Sequence, residues 1–132
     1  MALGIVTPVN ASPDNSYPKA ARLCRRGEIS HVLDHGRASV GSFVVAKVAP
    51  NELGRPRLGV VVSKKYGNAP QRNRLKRRMR EVFRLNQASL PAYDIVLLPR
   101  RCDSEPSFLE YQADILKQIA SAQVKFEEGT LA

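Results

Sequence analysis

Between Ser63 and Glu81 the chain reads Ser-Lys-Lys-Tyr-Gly-Asn-Ala-Pro-Gln-Arg-Asn-Arg-Leu-Lys-Arg-Arg-Met-Arg-Glu. Lysine is a compact charge, whereas arginine is a planar fork that bonds phosphate at two points and stacks on bases. Asn73 carries both a donor and an acceptor, suited to fixing a neighbouring arginine or meeting a sugar. Lys64 and Lys65 end a strand-like run, Gly67-Asn68 makes a turn, and Arg72-Asn73-Arg74 opens a helical pattern. A helix N-terminus at that place adds amides and a partial positive charge that favour phosphate oxygens. The chemistry on offer is recognition of an anion.

The distribution of charge supports this. The 132 residues include 21 Lys and Arg against 12 Asp and Glu, a formal charge of +9. Residues 64–84 hold nine of the basic side chains and only Glu81 against them, a local balance of +8. A solvated helix face is the bland alternative, but such faces intersperse the two signs. With nine cations to one anion, few i,i+4 ion pairs form and the repulsion is left uncompensated. The window reads as a docking surface for a polyanion, either nucleic acid or an anionic membrane.

Other reactive side chains are less promising. Cys24, His31 and His35 form a C-x6-H-x3-H pattern, and the two histidines share a helix face. Zinc needs a fourth ligand, which only Cys102 could bring, so no metal site is expected. Asp34 beside His35 reads as helix-surface charge. No Ser/His/Asp or Cys/His arrangement stands in a supporting motif, so no catalytic residue is expected in the protein.

The elements that must position the basic window follow from periodicity. Ile29, Val32 and Leu33 predict a first helix over 25–35, closed by Gly36. Ser39 to Ala49 is Val-rich without a helical period and predicts a strand or bent strand pair. Asn51 to Pro56 is turn chemistry. Leu58 to Ser63 predicts a buried strand in which Gly59 marks a bulge. Leu75, Met79, Val82 and Phe83 form one apolar stripe over Gln71–Asn86, opened by Pro70. Around that helix Arg74, Arg77, Arg80 and Arg84 point away from the stripe, while Lys76 and Arg78 flank it.

Tyr93 to Leu98 predicts a further strand. Phe108, Tyr111, Ile115 and Ile119 predict a last helix, with Asp103-Ser104 as its N-cap. The expected fold is an α+β sandwich, a single mixed sheet of about four strands with three helices, in the order α-β-β-β-α-β-α. Length allows one domain, expected over 21–122, between a flexible Pro- and Ser-rich tail at 1–20 and a frayed terminus at 123–132. The tail lacks the basic start and apolar run of a secretory signal, and no stretch is long and apolar enough to span a bilayer. Two cysteines without CxxC spacing suit a reducing compartment, so a cytoplasmic protein is expected.

The pattern S-K-K-x-G-x-A-x-x-R-N-R-x-K-R-x-x-R-E resembles the signature of the bacterial ribonuclease P protein subunit. The likeness extends from Arg22-Leu23 through Gly36 and Phe43-Val44-Val45 to Leu90-Pro91 and Asp94-Ile95-Val96. It implies a small basic protein with a left-handed βαβ crossover. Its partners would be ribonuclease P RNA and precursor tRNA, with no membrane and no protein partner, and the 5′ leader would be removed endonucleolytically. Hydrolysis would belong to the RNA and its Mg²⁺ ions, with no cofactor bound by the protein alone. Lys64, Lys65, Arg72, Asn73, Arg74, Lys76, Arg77 and Arg80 would contact RNA. Ile29, Leu33, Phe43 and Ala46 would line a cleft for the leader between the sheet and the first helix. Aromatic residues are usual in the family where Ile29, Leu33 and Ala46 stand. A stand-alone RNA-binding module, ribosomal-protein-like or chaperone, is the rival reading.

Overall fold

A computed structural model describes residues 21–23, 25–100 and 106–131. The elements in chain order are α1 (Arg26–His35), β1 (Arg37–Val40), β2 (Val44–Pro50), β3 (Arg57–Val60), α2 (Ala69–Asn86), β4 (Tyr93–Pro99) and α3 (Phe108–Leu131). This is the expected order, and the Val-rich stretch resolves into the hairpin β1–β2. The four strands form one mixed sheet in the order β1-β2-β4-β3. The first two pairings are antiparallel and β4–β3 is parallel.

Alternation along the strands sorts the side chains onto two faces. Val44, Ala46 and Val48 of β2 and Ile95 and Leu97 of β4 join Met79, Val82, Phe83, Tyr111, Ile115 and Ile119 in the main core under α2 and α3. The opposite face is covered by α1 through a smaller cluster of Leu23, Val32, Ala49 and Val96. Gly36 ends α1, its N–H donating to the Val32 carbonyl at 2.8 Å.

β3 and β4 are parallel neighbours joined through α2, an arrangement whose hand can be read from chirality. Leu58 turns its side chain into the core shared with α2. Its carbonyl accepts from the Leu23 N–H at 2.9 Å on the edge away from β4. For L-residues this puts β4 to the left of β3, seen from α2 with both strands pointing up. The crossover is therefore left-handed, against the usual rule for such units.

Two local expectations are corrected. Register runs unbroken from Arg57↔Asp94 to Val60↔Leu97, so Gly59 makes no bulge. The glycine is needed for close approach instead, because a Cβ there would lie 3.1 Å from the Leu23 Cβ. The last helix is capped by Ser107, whose Oγ accepts from the Glu110 N–H at 3.1 Å while Glu110 Oε1 accepts from the Ser107 N–H at 2.9 Å. The Asp103-Ser104 cap, like the tail at 1–20, lies outside the described residues. α3 runs past residue 122 to Leu131, and the Phe126 ring packs edge-on to Tyr93 with centroids 6.2 Å apart.

A charged cluster fastens α1 to the sheet. Arg57 grips Asp94 with two bonds (2.8 and 2.7 Å) and reaches Glu28 in the first turn of α1 at 2.9 Å. Asn51 adds a bond to Asp94 at 2.9 Å. The two carboxylates, Asp94 foremost, raise the Arg57 pKa and keep it charged. Asp94 is 7% exposed, so neutralising it leaves a half-buried guanidinium without its main counter-charge. Asp94→Asn is predicted to cost about 3 kcal/mol in urea unfolding, whereas Glu28→Gln, at a partly exposed site, costs about 1 kcal/mol or less.

Candidate nucleic-acid interface

The basic window is built as strand, turn and helix. After β3 the Val61 N–H still bonds the Leu97 carbonyl at 3.0 Å, and Lys64–Tyr66 then forms a single 3-10 turn. Gly67 follows with φ +128°, a backbone that side-chain-bearing residues rarely adopt. Asn68 caps α2: its side chain accepts from the Gln71 N–H at 3.0 Å, and Gln71 Oε1 accepts from the Asn68 N–H at 2.9 Å. Arg72 Nη1 reaches back to the Gly67 carbonyl at 3.3 Å and steadies the turn.

This capping revises one expectation. The amides of Asn68 and Gln71 are taken by the reciprocal cap, and Pro70 has none. Little of the first turn is left for a phosphate, so anion binding falls to side chains.

Those side chains follow from the buried stripe. Met79, Val82 and Phe83 are buried and Leu75 is half-buried against the core. At 100° per residue, Asn73, Arg77, Arg80 and Arg84 fall on one line opposite that stripe. They and Glu81 line an open groove of about 310 Å³. Lys64, Lys65, Asn73, Arg74, Arg77 and Arg80 are exposed, while Arg72 and Lys76 are half-buried beside them. Glu81, the only acid in the window, is held by Arg84, Nε to Oε1 at 2.9 Å. The Arg84 guanidinium holds its carboxyl below the ordinary range, so Glu81 stays ionised beside Arg84.

All eight residues expected to meet RNA therefore lie on the turn and helix of one unit. Arg84 and Glu81 complete the groove but were not among them; their signal was the spacing Asn73, Arg77, Arg80, Arg84. Arg78 has a different role, bonding the Pro106 carbonyl at 2.9 Å and tying α2 to the approach of α3.

The four expected cleft residues are not brought together. Ile29 and Leu33 sit half-buried between α1 and the sheet. Phe43 and Ala46 belong to the other face: Phe43 packs edge-on to Tyr111 with centroids 6.3 Å apart, and Ala46 is fully buried in the main core. A strand presents alternate residues to opposite faces, and a shift of one residue exchanges them. The sheet side facing α1 is provided by Val45 and Lys47 instead, opposite Leu98 and Val96. His31 and His35 are exposed and stacked at 4.6 Å. Among the described residues no three His, Cys, Asp or Glu side chains converge as metal ligands.

The family model for ribonuclease P matches residues 17–123. The chain belongs to the ribonuclease P protein family. It is 40% identical over 108 residues to the ribonuclease P protein component of Chlamydia trachomatis serovar D, covering 81% of this chain and 89% of that one. The corresponding component of Chromohalobacter salexigens is 46% identical over 90 residues, covering 67% and 70%. Among solved structures, the Staphylococcus aureus RNase P protein superposes with a TM-score of 0.72 at 30% identity, covering 80% of this chain and 98% of that one. The Thermotoga maritima protein gives 0.68 at 33% identity, covering 73% and 92%. No described helix is long and apolar enough to cross a membrane.

The burial of Ala46 makes a testable contrast. Ala46→Tyr overpacks the core and is predicted to cost about 3 kcal/mol in urea unfolding. Val45→Tyr, on the opposite face, is predicted to change stability by less than about 1 kcal/mol in the same assay.

Proposed function

We infer that this chain is the protein subunit of ribonuclease P, the endoribonuclease that removes the 5′ leader of precursor tRNA. It binds the catalytic RNA and does not itself carry out the hydrolysis. The observation that carries this reading is the line of Asn73, Arg77 and Arg80 on α2, opposite the buried stripe, within a chain of this family. Lys64, Lys65, Arg72, Arg74 and Lys76 extend that line onto the preceding turn and the helix flanks. These side chains meet RNA phosphates, and the arginine forks add geometric selectivity.

The leader of precursor tRNA lies between α1 and the sheet, against Ile29 and Leu33. Mg²⁺ ions that support hydrolysis are held by the RNA, and the protein binds no cofactor of its own. The compartment is the cytoplasm, where two cysteines outside any CxxC spacing remain reduced.

The direct test is reconstitution with the RNA subunit of the same organism at low Mg²⁺, measuring cleavage of precursor tRNA. A marked gain in rate on adding the protein is expected, and no gain would overturn the reading. A stand-alone RNA-binding module would bind structured RNAs without favouring precursor over mature tRNA.

The arginine line gives a second measurement. Replacing Arg77 and Arg80 with Gln is predicted to lower the slope of log K against log salt by roughly 1.8 for binding the RNA subunit. Arg78→Gln serves as the control: it loses stability through the Pro106 bond while leaving that slope unchanged.

A further inference from the structure

The RNA-binding unit makes no use of His31 and His35. Both are exposed on α1, which covers the sheet face opposite α2. Residues four apart project from one side of a helix. The two rings stack there with centroids 4.6 Å apart and 28° between their planes. Paired histidines of helical zinc sites have the same spacing.

Hydrogen bonding prepares one of these rings for a metal. His35 Nδ1 lies 3.2 Å from the His31 carbonyl oxygen. That oxygen only accepts, so Nδ1 carries the proton and Nε2 keeps its lone pair. Histidine ligands are commonly oriented in this way, the far ring nitrogen donating to a backbone carbonyl. His35 is also the last residue of α1, at the helix end where the dipole favours positive charge. Asp34, exposed on the same turn, adds a negative charge close by. Before His31 the helix surface is open, since a Cβ on Gly27 would meet nothing within 4 Å.

We propose that His31 and His35 chelate one divalent transition ion of the nickel and zinc class, through Nε2 of His35 and a ring nitrogen of His31. Metal–nitrogen bonds of about 2.1 Å draw the outer edges of the two rings together. Histidine χ2 has a broad well, and exposed rings tilt in it at little cost. Among the described residues no three such ligands converge, so water holds the remaining positions and the ion exchanges readily. Imidazole selects nickel, copper and zinc over Mg²⁺, which takes oxygen ligands. The site is therefore distinct from the Mg²⁺ chemistry of hydrolysis and independent of the RNA-docking helix.

Calorimetric titration of the full-length protein with Ni²⁺, and with Mg²⁺ for comparison, tests the site. Ni²⁺ is expected to bind and Mg²⁺ to give no signal. His31→Gln and His35→Gln should each weaken Ni²⁺ binding by at least about tenfold, and the double variant should be little worse than either, because a chelate is lost with its first ligand. Hydrogen exchange gives a second readout: Ni²⁺ should slow the amides of residues 31–35 in the wild type and in neither variant. Ni²⁺ affinity unchanged in both single variants would overturn the proposal and assign the ion to other groups, such as the cysteine thiols. A loss confined to one variant, or exchange at residues 31–35 indifferent to Ni²⁺, would overturn the chelate in favour of a lone histidine.

Discussion

Like charge is dense on α2, and the fold must hold it in place. Cations three and four residues apart on a helix repel by a few tenths of a kcal/mol per pair, and this helix carries many such pairs. Burial of Met79, Val82 and Phe83, at about 2 kcal/mol each, outweighs that repulsion. The reciprocal cap at Asn68 and Gln71 and the Arg84–Glu81 pair add local support. The helix is thus held from one side by the core and carries an excess of like charge on the other. A polyanion relieves that imbalance, so the arrangement that costs folding energy is the same one that attracts RNA.

The sheet divides its two faces unequally. One is sealed under α2 and α3 by a large apolar core, which fixes the direction of the basic helix. The other carries only α1, seated on a small cluster and fastened by Arg57 at its start and Lys47 near its end. Charged fastenings are directional and hold a helix at a set distance from the sheet. The turn at Lys64–Tyr66 follows directly on β3, the last strand in the sheet order, and leads into α2.

What could be read from the residues beforehand was whatever depends on local period or composition. The stripe on α2, the stop at Gly36, the element order and the basic window all have that character. The placement of Phe43 and Ala46 was not legible, because a Val-rich strand gives no sign of which parity faces which helix. The cap at Ser107 lay beyond an equally good candidate pair, and the packing of Phe126 on Tyr93 is a contact distant in sequence. The Arg57–Asp94–Glu28 cluster was hidden for the same reason. Lys47, alone among apolar neighbours in its strand, was visible as a residue but not as the partner of the Leu33 carbonyl.

Hydrogen–deuterium exchange on the free protein and on its complex with ribonuclease P RNA locates the docking face. A docking face on α2 predicts new protection across the Lys64–Tyr66 turn and along α2 when RNA binds, with α3 little changed. Protection concentrated on α3, with α2 exchanging as it does in the free protein, would contradict it.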